Sequence, residues 1–360
     1  MRILHIITWL ETGGAEKLMV DLLPRLRDEG NDVELLCIIG KRTPFYEQLE
    51  SEGIKIHSLG KNGSNMYNPW YAVKLVRFLK KHRYDIVHTH NTAPQLFAAL
   101  ARVLCSVVLC TTEHTTSNRR RDLKWYRPID RWMYKQYDSI VCISDQAEEN
   151  LKTYLGNGKY NICTIYNGID VERFAKAVPC DELVQGKGKR KAVVMVAGFR
   201  YQKDQDTLIK AMGLLPKEQY ELWLVGDGER RDVLKNLVKE EGIEENVKFL
   251  GLRSDVPNIL KAADIVVMSS HFEGLSLSNL EGMASGRPFI ASDVDGLHEI
   301  VAGNGLLFPH GDAKALAIQI EKVANDVELR KRVVDACQKK AAQYDIKVMA
   351  NKYNELYKSL

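Results

Sequence analysis

Two glutamates eight residues apart, Glu273 and Glu281, stand where a strand gives way to a helix. The apolar run Ile265-Val266-Val267-Met268 reads as the strand, and Glu273-Gly274-Leu275-Ser276 as a loop of small residues. A helical period follows, with Leu277, Leu280, Met283 and Ala284 on one side. Strand, small-residue loop and helix together offer unpaired backbone N–H groups and a positive helix end to an anion. Glu273 lies on the loop above that place, and Glu281 about one turn inside the helix, where a carboxylate accepts two ribose hydroxyls. An anion cradle between two hydroxyl acceptors fits a nucleotide-sugar. A plain βαβ unit carrying two unrelated glutamates fits the same residues.

Other stretches add complementary chemistry. In Gly198-Phe199-Arg200-Tyr201-Gln202-Lys203-Asp204, Arg200 and Lys203 supply two cations suited to a diphosphate, one as a fork and one as a point charge. A solvated loop is the alternative. Gly226-Asp227-Gly228 is a turn that lets another group approach the backbone. It lacks the third glycine of the dinucleotide fingerprint. His114 ends an apolar strand in Thr111-Thr112-Glu113-His114, either as a site residue or as a structural histidine. Gly13-Gly14 opens a helix as a tight turn or as a loop over a phosphate or sugar. No Ser-His-Asp pattern, P-loop or metal-ligand spacing competes.

The elements that position these residues alternate throughout. Short apolar strands and helical patterns succeed one another from residue 2 to the end, which predicts parallel sheets covered on both faces. With 360 residues the chain exceeds one typical core. The alternation restarts near residue 192, after a stretch without apolar period. That stretch contains Gln185-Gly186-Lys187-Gly188-Lys189-Arg190-Lys191 and reads as a linker. The expectation is an α/β protein with two Rossmann-like domains, 1–168 and 169–343, facing across a cleft. All the candidate residues fall at strand C-terminal ends, where such sheets bind ligands.

Bulk properties exclude several classes. Residues 1–165 hold 23 Lys and Arg against 18 Asp and Glu, and residues 166–360 hold 28 against 29. The basic surplus is small, so nucleic-acid binding is not expected. Seven scattered cysteines without a CxxC predict reduced thiols and no structural zinc. No apolar run reaches spanning length, and the N-terminus does not read as a signal peptide, so a cytoplasmic protein is expected. The stretch Arg119-Arg120-Arg121-Asp122-Leu123-Lys124-Trp125-Tyr126-Arg127, continuing through Trp132 to Lys135, is basic and aromatic. Either residues 119–135 meet the anionic inner face of a membrane or a polyprenyl-diphosphate, or they form a solvated helix whose aromatics pack inward.

With these residues in view, the sequence resembles the family 4 glycosyltransferases of the GT-B fold over essentially its whole length. The matching motifs are Thr12-Gly13-Gly14-Ala15-Glu16, Glu113-His114, Tyr166-Asn167-Gly168-Ile169-Asp170, Gln202-Lys203-Asp204, Gly226-Asp227-Gly228, Phe249-Leu250-Gly251 and the Glu273…Glu281 pair. The resemblance implies retaining transfer of a sugar from a nucleotide donor, UDP by family frequency, to a glycan or lipid-linked acceptor. It implies no cofactor and no obligatory metal, the nucleotide-sugar being a co-substrate. It further implies that Glu273, with Gly274, Leu275, Ser276 and Leu277, meets the donor sugar and phosphate, and that Glu281 binds the ribose. Arg200 and Lys203 would hold the diphosphate, and Leu252 and Arg253 would meet the base. His114 would sit by the sugar, Gly226 in the donor site, and Gly13 and Gly14 over the phosphate or acceptor side. The last helix, 344–360, would cross back to the first domain.

Two positions depart from the family pattern. Gly198 stands where an arginine is usual, and Ser276 where the loop usually ends in glycine. Two rival readings remain at this level: a nucleotide-sugar epimerase and a non-catalytic nucleotide-sugar-binding module.

Overall fold

The computed structural model describes residues 1–11, 13–115 and 119–360. The chain forms two compact units, residues 1–168 with 346–360, and residues 169–345.

The first unit is built on seven parallel strands: β1 Arg2–Ile7, β2 Asp32–Gly40, β3 Lys55–Lys61, β4 Ile86–His90, β5 Val108–Glu113, β6 Ser139–Cys142 and β7 Ile162–Thr164. Their order is β3-β2-β1-β4-β5-β6-β7. Order reverses between β1 and β4, so loops after those strands diverge there and leave room for a ligand. The five inner strands are almost wholly buried because helices cover both faces, and the edge strands β3 and β7 are partly open. On one face Tyr71, Leu75, Phe97, Met133 and Leu151 pack down from four successive helices. On the other, Leu18, Leu22 and Leu26 of the helix Gly14–Asp28 meet Met349, Tyr353 and Tyr357 of the C-terminal helix Ile346–Ser359. That last helix thus belongs to the core of the first unit, although the second unit separates it from the rest in sequence.

The second unit repeats the plan with β8 Lys191–Val196, β9 Tyr220–Val225, β10 Val247–Gly251, β11 Ile265–Met268, β12 Phe289–Asp293 and β13 Leu306–Pro309. The order is β10-β9-β8-β11-β12-β13, again parallel, with its reversal between β8 and β11. The stretch read as a linker is part of this unit. Asp181–Lys187 is a helix, and β8 begins at Lys191. Lys187 reaches Ala262 O at 2.9 Å and Asp264 at 2.6 Å, so the polar composition is tied down by long-range bonds rather than left as a loop.

All seven cysteines are free thiols, five of them buried. Burial pushes Cys37, Cys142 and Cys337 up to about 12, which keeps them protonated. Among the described residues, no helix is long and apolar enough to cross a membrane.

Candidate functional site

In the second unit, Gly226 follows β9 and Leu252 and Arg253 follow β10, whereas Arg200, Lys203 and Glu273 to Ser276 lie on the two loops that leave the adjacent strands β8 and β11. The loops are laced together. His271 N donates to Gln202 O at 2.8 Å, Gln202 Nε2 donates to Phe272 O at 3.1 Å, and Ser269 Oγ donates to Asp204 O at 2.7 Å. Asp204 takes a left-handed backbone (φ 47°) and caps the helix Gln205–Gly213 through Thr207. An aspartate tolerates that conformation because its short side chain bonds locally. The cap fixes Lys203 in the turn just before.

Lys203 Nζ is held by Glu273 Oε1, and Ser270 Oγ donates to the same oxygen at 2.7 Å. The Lys203 side chain is 17% exposed and that of Glu273 3%. The cation expected at a diphosphate and the carboxylate expected at a sugar therefore neutralise each other in this state. Ser270 was not singled out by the sequence. Its only signal was the place before Glu273 at the end of a strand.

The helix Leu277–Ala284 begins without a side-chain cap, Ser276 being extended before it. The N–H groups of Leu277 and Ser278 find no acceptor among the described residues, so they remain available to an anion. Glu281, one turn in, is buried. Leu275 is buried below the loop, whereas Gly274 and Ser276 are half-buried. Gly296 is a second residue the sequence did not flag. At φ 84°, a Cβ there would lie 2.1 Å from Glu273 O, so only glycine lets this turn press against the Glu273 backbone.

Arg200 is exposed. A Cβ at Gly198 would lie 3.8 Å from Arg200 Nε, so the guanidinium stem folds back over the place where an arginine at 198 would begin. Gly226 is closely packed by a neighbouring loop. Its φ is 137°, and a Cβ would lie 2.1 Å from Ala197 O. The group that approaches this turn is the chain's own Ala197–Phe199 backbone, secured by Phe199 N to Asp227 O at 3.0 Å. Leu252 is exposed after β10, and Arg253 is engaged by both oxygens of Asp255 at 2.7 Å. The backbone there, rather than the Arg253 side chain, is free to meet another molecule.

In the first unit, β5 delivers Glu113 and His114. Glu113 is saturated: Gln95 Nε2, Tyr134 OH and Arg121 Nη2 donate to it at 2.5, 2.6 and 2.7 Å. Burial alone would raise this carboxyl, but the Arg120 and Arg121 guanidinium charges outweigh it and hold Glu113 below its ordinary range. Arg120 is itself buried against Asp130 at 3.2 Å. Two of the three consecutive arginines are therefore interior ion-pair partners, not a cationic face.

The aromatics of 119–135 divide: Tyr134 is buried against Glu113, whereas Trp125 is 66% exposed and Trp132, with Leu123 and Ile129, also faces solvent. Tyr67 and Trp70 are exposed aromatics of the same unit.

His114 is half-buried and bonded through Nε2 to His90 Nδ1 at 2.9 Å. Burial lowers it to about 4, so it is neutral at pH 7. Gly13 and Gly14 are exposed at the start of the helix Gly14–Asp28, where Glu16 folds back onto Gly13. Thr12, part of the same motif, lies outside the described residues, as do residues 116–118.

Among the described residues, two groups bring three metal-type ligand atoms within 4.8 Å of one another: His5, His88 and His90, and Asp204, His271 and His310. Neither is poised for an ion. The first three rings are stacked, with both nitrogens of His88 already bonded to Tyr357 and Thr112. In the second group, both Asp204 oxygens serve the helix cap.

The chain matches the family model of glycosyl transferases group 1 over residues 183–340 and that of glycosyltransferase family 4 over residues 12–173. It is 30% identical over 287 residues to the putative glycosyltransferase EpsD of Bacillus subtilis, covering 75% of each chain. It is 26% identical to the Escherichia coli UDP-Gal:alpha-D-GlcNAc-diphosphoundecaprenol alpha-1,3-galactosyltransferase, over 99% of this chain and 96% of that one. The crystal structure of Anabaena Alr3699/HepE in complex with UDP-glucose superposes with a TM-score of 0.84 at 22% identity, over the full length of both chains. That likeness establishes a shared fold, of the GT-B class.

Proposed function

Because this chain belongs to the family 4 glycosyltransferases, we propose that it transfers a sugar with retention from a UDP-sugar to a hydroxyl of a glycan or lipid-linked acceptor, without a metal, in cell-surface polysaccharide synthesis. The observation that carries the donor half is the junction of β11 with the helix Leu277–Ala284. An uncapped helix start, a lysine and two glutamates stand there on loops locked to each other.

Cleavage of the sugar–phosphate bond develops positive charge at the anomeric carbon and negative charge on the departing diphosphate. Lys203, Arg200 and the Leu277 and Ser278 N–H groups stabilise the leaving group, the largest kind of contribution available without covalent catalysis. The acceptor oxygen bonds to the anomeric carbon on the face the diphosphate leaves, and a diphosphate oxygen takes the acceptor proton. The incoming diphosphate competes for Lys203, which frees Glu273 to accept from sugar hydroxyls. Glu281 accepts from the ribose, the backbone at Leu252 and Arg253 meets the base, and His114 serves the sugar. The fold of Arg200 over Gly198 supports its standing in for the usual arginine. UDP is favoured by the galactosyltransferase relative and by the UDP-glucose complex of HepE. The exposed Tyr67, Trp70, Trp125 and Trp132 support an acceptor or surface with lipid character.

A thermal-shift panel of UDP-, GDP- and ADP-sugars in EDTA, followed by turnover assays on the ligands that stabilise, tests this reading. A ligand at 100 times its Kd stabilises by about 2.7 kcal/mol. UDP-sugars alone are expected to raise Tm, and turnover to persist in EDTA. A shift confined to another base overturns UDP. Binding with no transfer to any acceptor overturns catalysis.

A further inference from the structure

The histidines at the carboxyl end of the first sheet form a chain with a direction. His5 on β1, His90 on β4 and His114 after β5 step across three neighbouring strands. His5 Nδ1 lies 3.0 Å from His90 Nε2, and His90 Nδ1 lies 2.9 Å from His114 Nε2. His5 and His90 have no solvent exposure. His88 stacks beside both, but its nitrogens lead elsewhere, to Tyr357 and Thr112. At the inner end of the chain, His5 Nε2 is buried without a partner among the described residues. At the outer end, His114 Nδ1 has no protein partner among them, and the ring is half-buried.

All three rings are neutral at pH 7, since burial depresses His5 to about 3, His114 to about 4 and His90 well below its ordinary value. A neutral imidazole has one N–H and one lone pair. His90 uses both nitrogens, so it must donate with one and accept with the other. The chain can therefore run only two ways. In the first, His114 donates from Nε2 to His90, and His90 donates from Nε2 to His5. His5 then carries its proton on Nε2, a buried N–H with nothing to receive it. In the second, His5 donates from Nδ1 to His90 Nε2, and His90 donates from Nδ1 to His114 Nε2. The unpartnered His5 Nε2 is then a bare lone pair. Orphaned buried N–H groups are rare and costly in folded proteins. The partnerless atom at the inner end breaks the tie in favour of the second direction.

We infer that His5 and His90 are positioning residues that lock His114 as its Nδ1–H tautomer, so that His114 presents a hydrogen-bond donor and not a base. The consequence for the reaction rests on the reading of His114 as a sugar residue. On that reading, His114 Nδ1–H donates to an oxygen of the donor sugar, which leaves the acceptor's proton to the diphosphate.

Two-bond proton–nitrogen correlation spectra of the full chain labelled with 15N-histidine read the tautomers directly, with His114 assigned by its absence in His114→Gln. The wild-type spectrum alone decides: His114 protonated at Nδ1 supports the lock, and His114 protonated at Nε2 overturns it. His90→Asn places an amide N–H near the lost Nδ1 and is expected to preserve the tautomer. His90→Leu is expected to shift His114 toward Nε2–H and to lower kcat about tenfold. An unchanged tautomer in His90→Leu, with a native melting curve, overturns the lock. Should the tautomer be as inferred while His114→Gln turns over normally, the lock stands and the placement of His114 at the sugar falls.

Discussion

The carboxyl ends of the two sheets solve opposite problems with similar backbones. In the first unit, the candidate strand ends are filled with groups that already have partners: Glu113 accepts three donors, and His90 uses both nitrogens. In the second unit, one lysine and one glutamate hold each other, largely buried, beside N–H groups with no acceptor among the described residues. The first arrangement is largely satisfied within the protein, with His114 Nδ1 left over among the described residues, and the second leaves backbone N–H groups open. On the proposed function, the duplicated architecture gives orientation to one half and charge neutralisation to the other.

Acid is the strongest way to separate them. His5, His88, His90 and His114 are all held below their ordinary pKa in the first unit. In the second, His298 is raised by Asp293. The unfolded chain protonates each histidine near pH 6.5, whereas the folded first unit takes up those protons only at much lower pH. Stability is therefore full above about 6.5 and falls as pH drops below it. Each ring contributes up to about 1.4 kcal/mol per pH unit. Tryptophan fluorescence and limited proteolysis between pH 7 and 5 are expected to show the first unit opening well before the second. Simultaneous opening at pH 4 would break the comparison.

Next come paired substitutions. Arg121→Ala removes the direct ion-pair partner of Glu113 while Arg120, Gln95 and Tyr134 remain, with a loss of about 2–3 kcal/mol in urea unfolding. Lys203→Ala leaves Glu273 with Ser270 as its remaining donor, which is expected to cost about 1–3 kcal/mol in unfolding, and turnover about 10²- to 10³-fold. If Lys203→Ala instead unfolds the protein with full specific activity in the remainder, the charge-handling role is wrong. The smallest effect is expected at Trp125→Ala, about 1 kcal/mol in partitioning to anionic vesicles measured by sedimentation, with no change in Tm. Unaltered partitioning would remove the aromatic surface from the acceptor side.

The sequence made the sheets legible because strands buried on both faces write themselves as apolar runs. It also showed the neighbourhood of Lys203, Glu273 and Glu281, whose residue types sit at strand ends with little else to do. Contacts between distant residues escaped it. Nothing local announces that Lys203 and Glu273, seventy positions apart, share a bond. Arg120 and Arg121 look like surface cations until Glu113 and Asp130 fold beside them. The helix Asp181–Lys187 was hidden because it buries little more than Leu183 and is held by Lys187 bonding to Asp264. The histidines on β1 and β4 read as punctuation in apolar strands, although their spacing across the sheet is what joins them.

The last helix sets a timetable for synthesis. Tyr353 and Tyr357 complete the apolar layer under β1 and bring hydroxyls to Thr112 and His88. A ribosome that has finished residue 168 holds a sheet whose covering is still missing. At roughly 5–20 residues per second, the remaining 192 residues take about 10–40 s. For that interval the second unit can mature while the first waits with apolar surface uncovered, a period when chaperones have something to hold. A message cut short before Ile346 would leave the second unit whole and the first without the helix that covers β1.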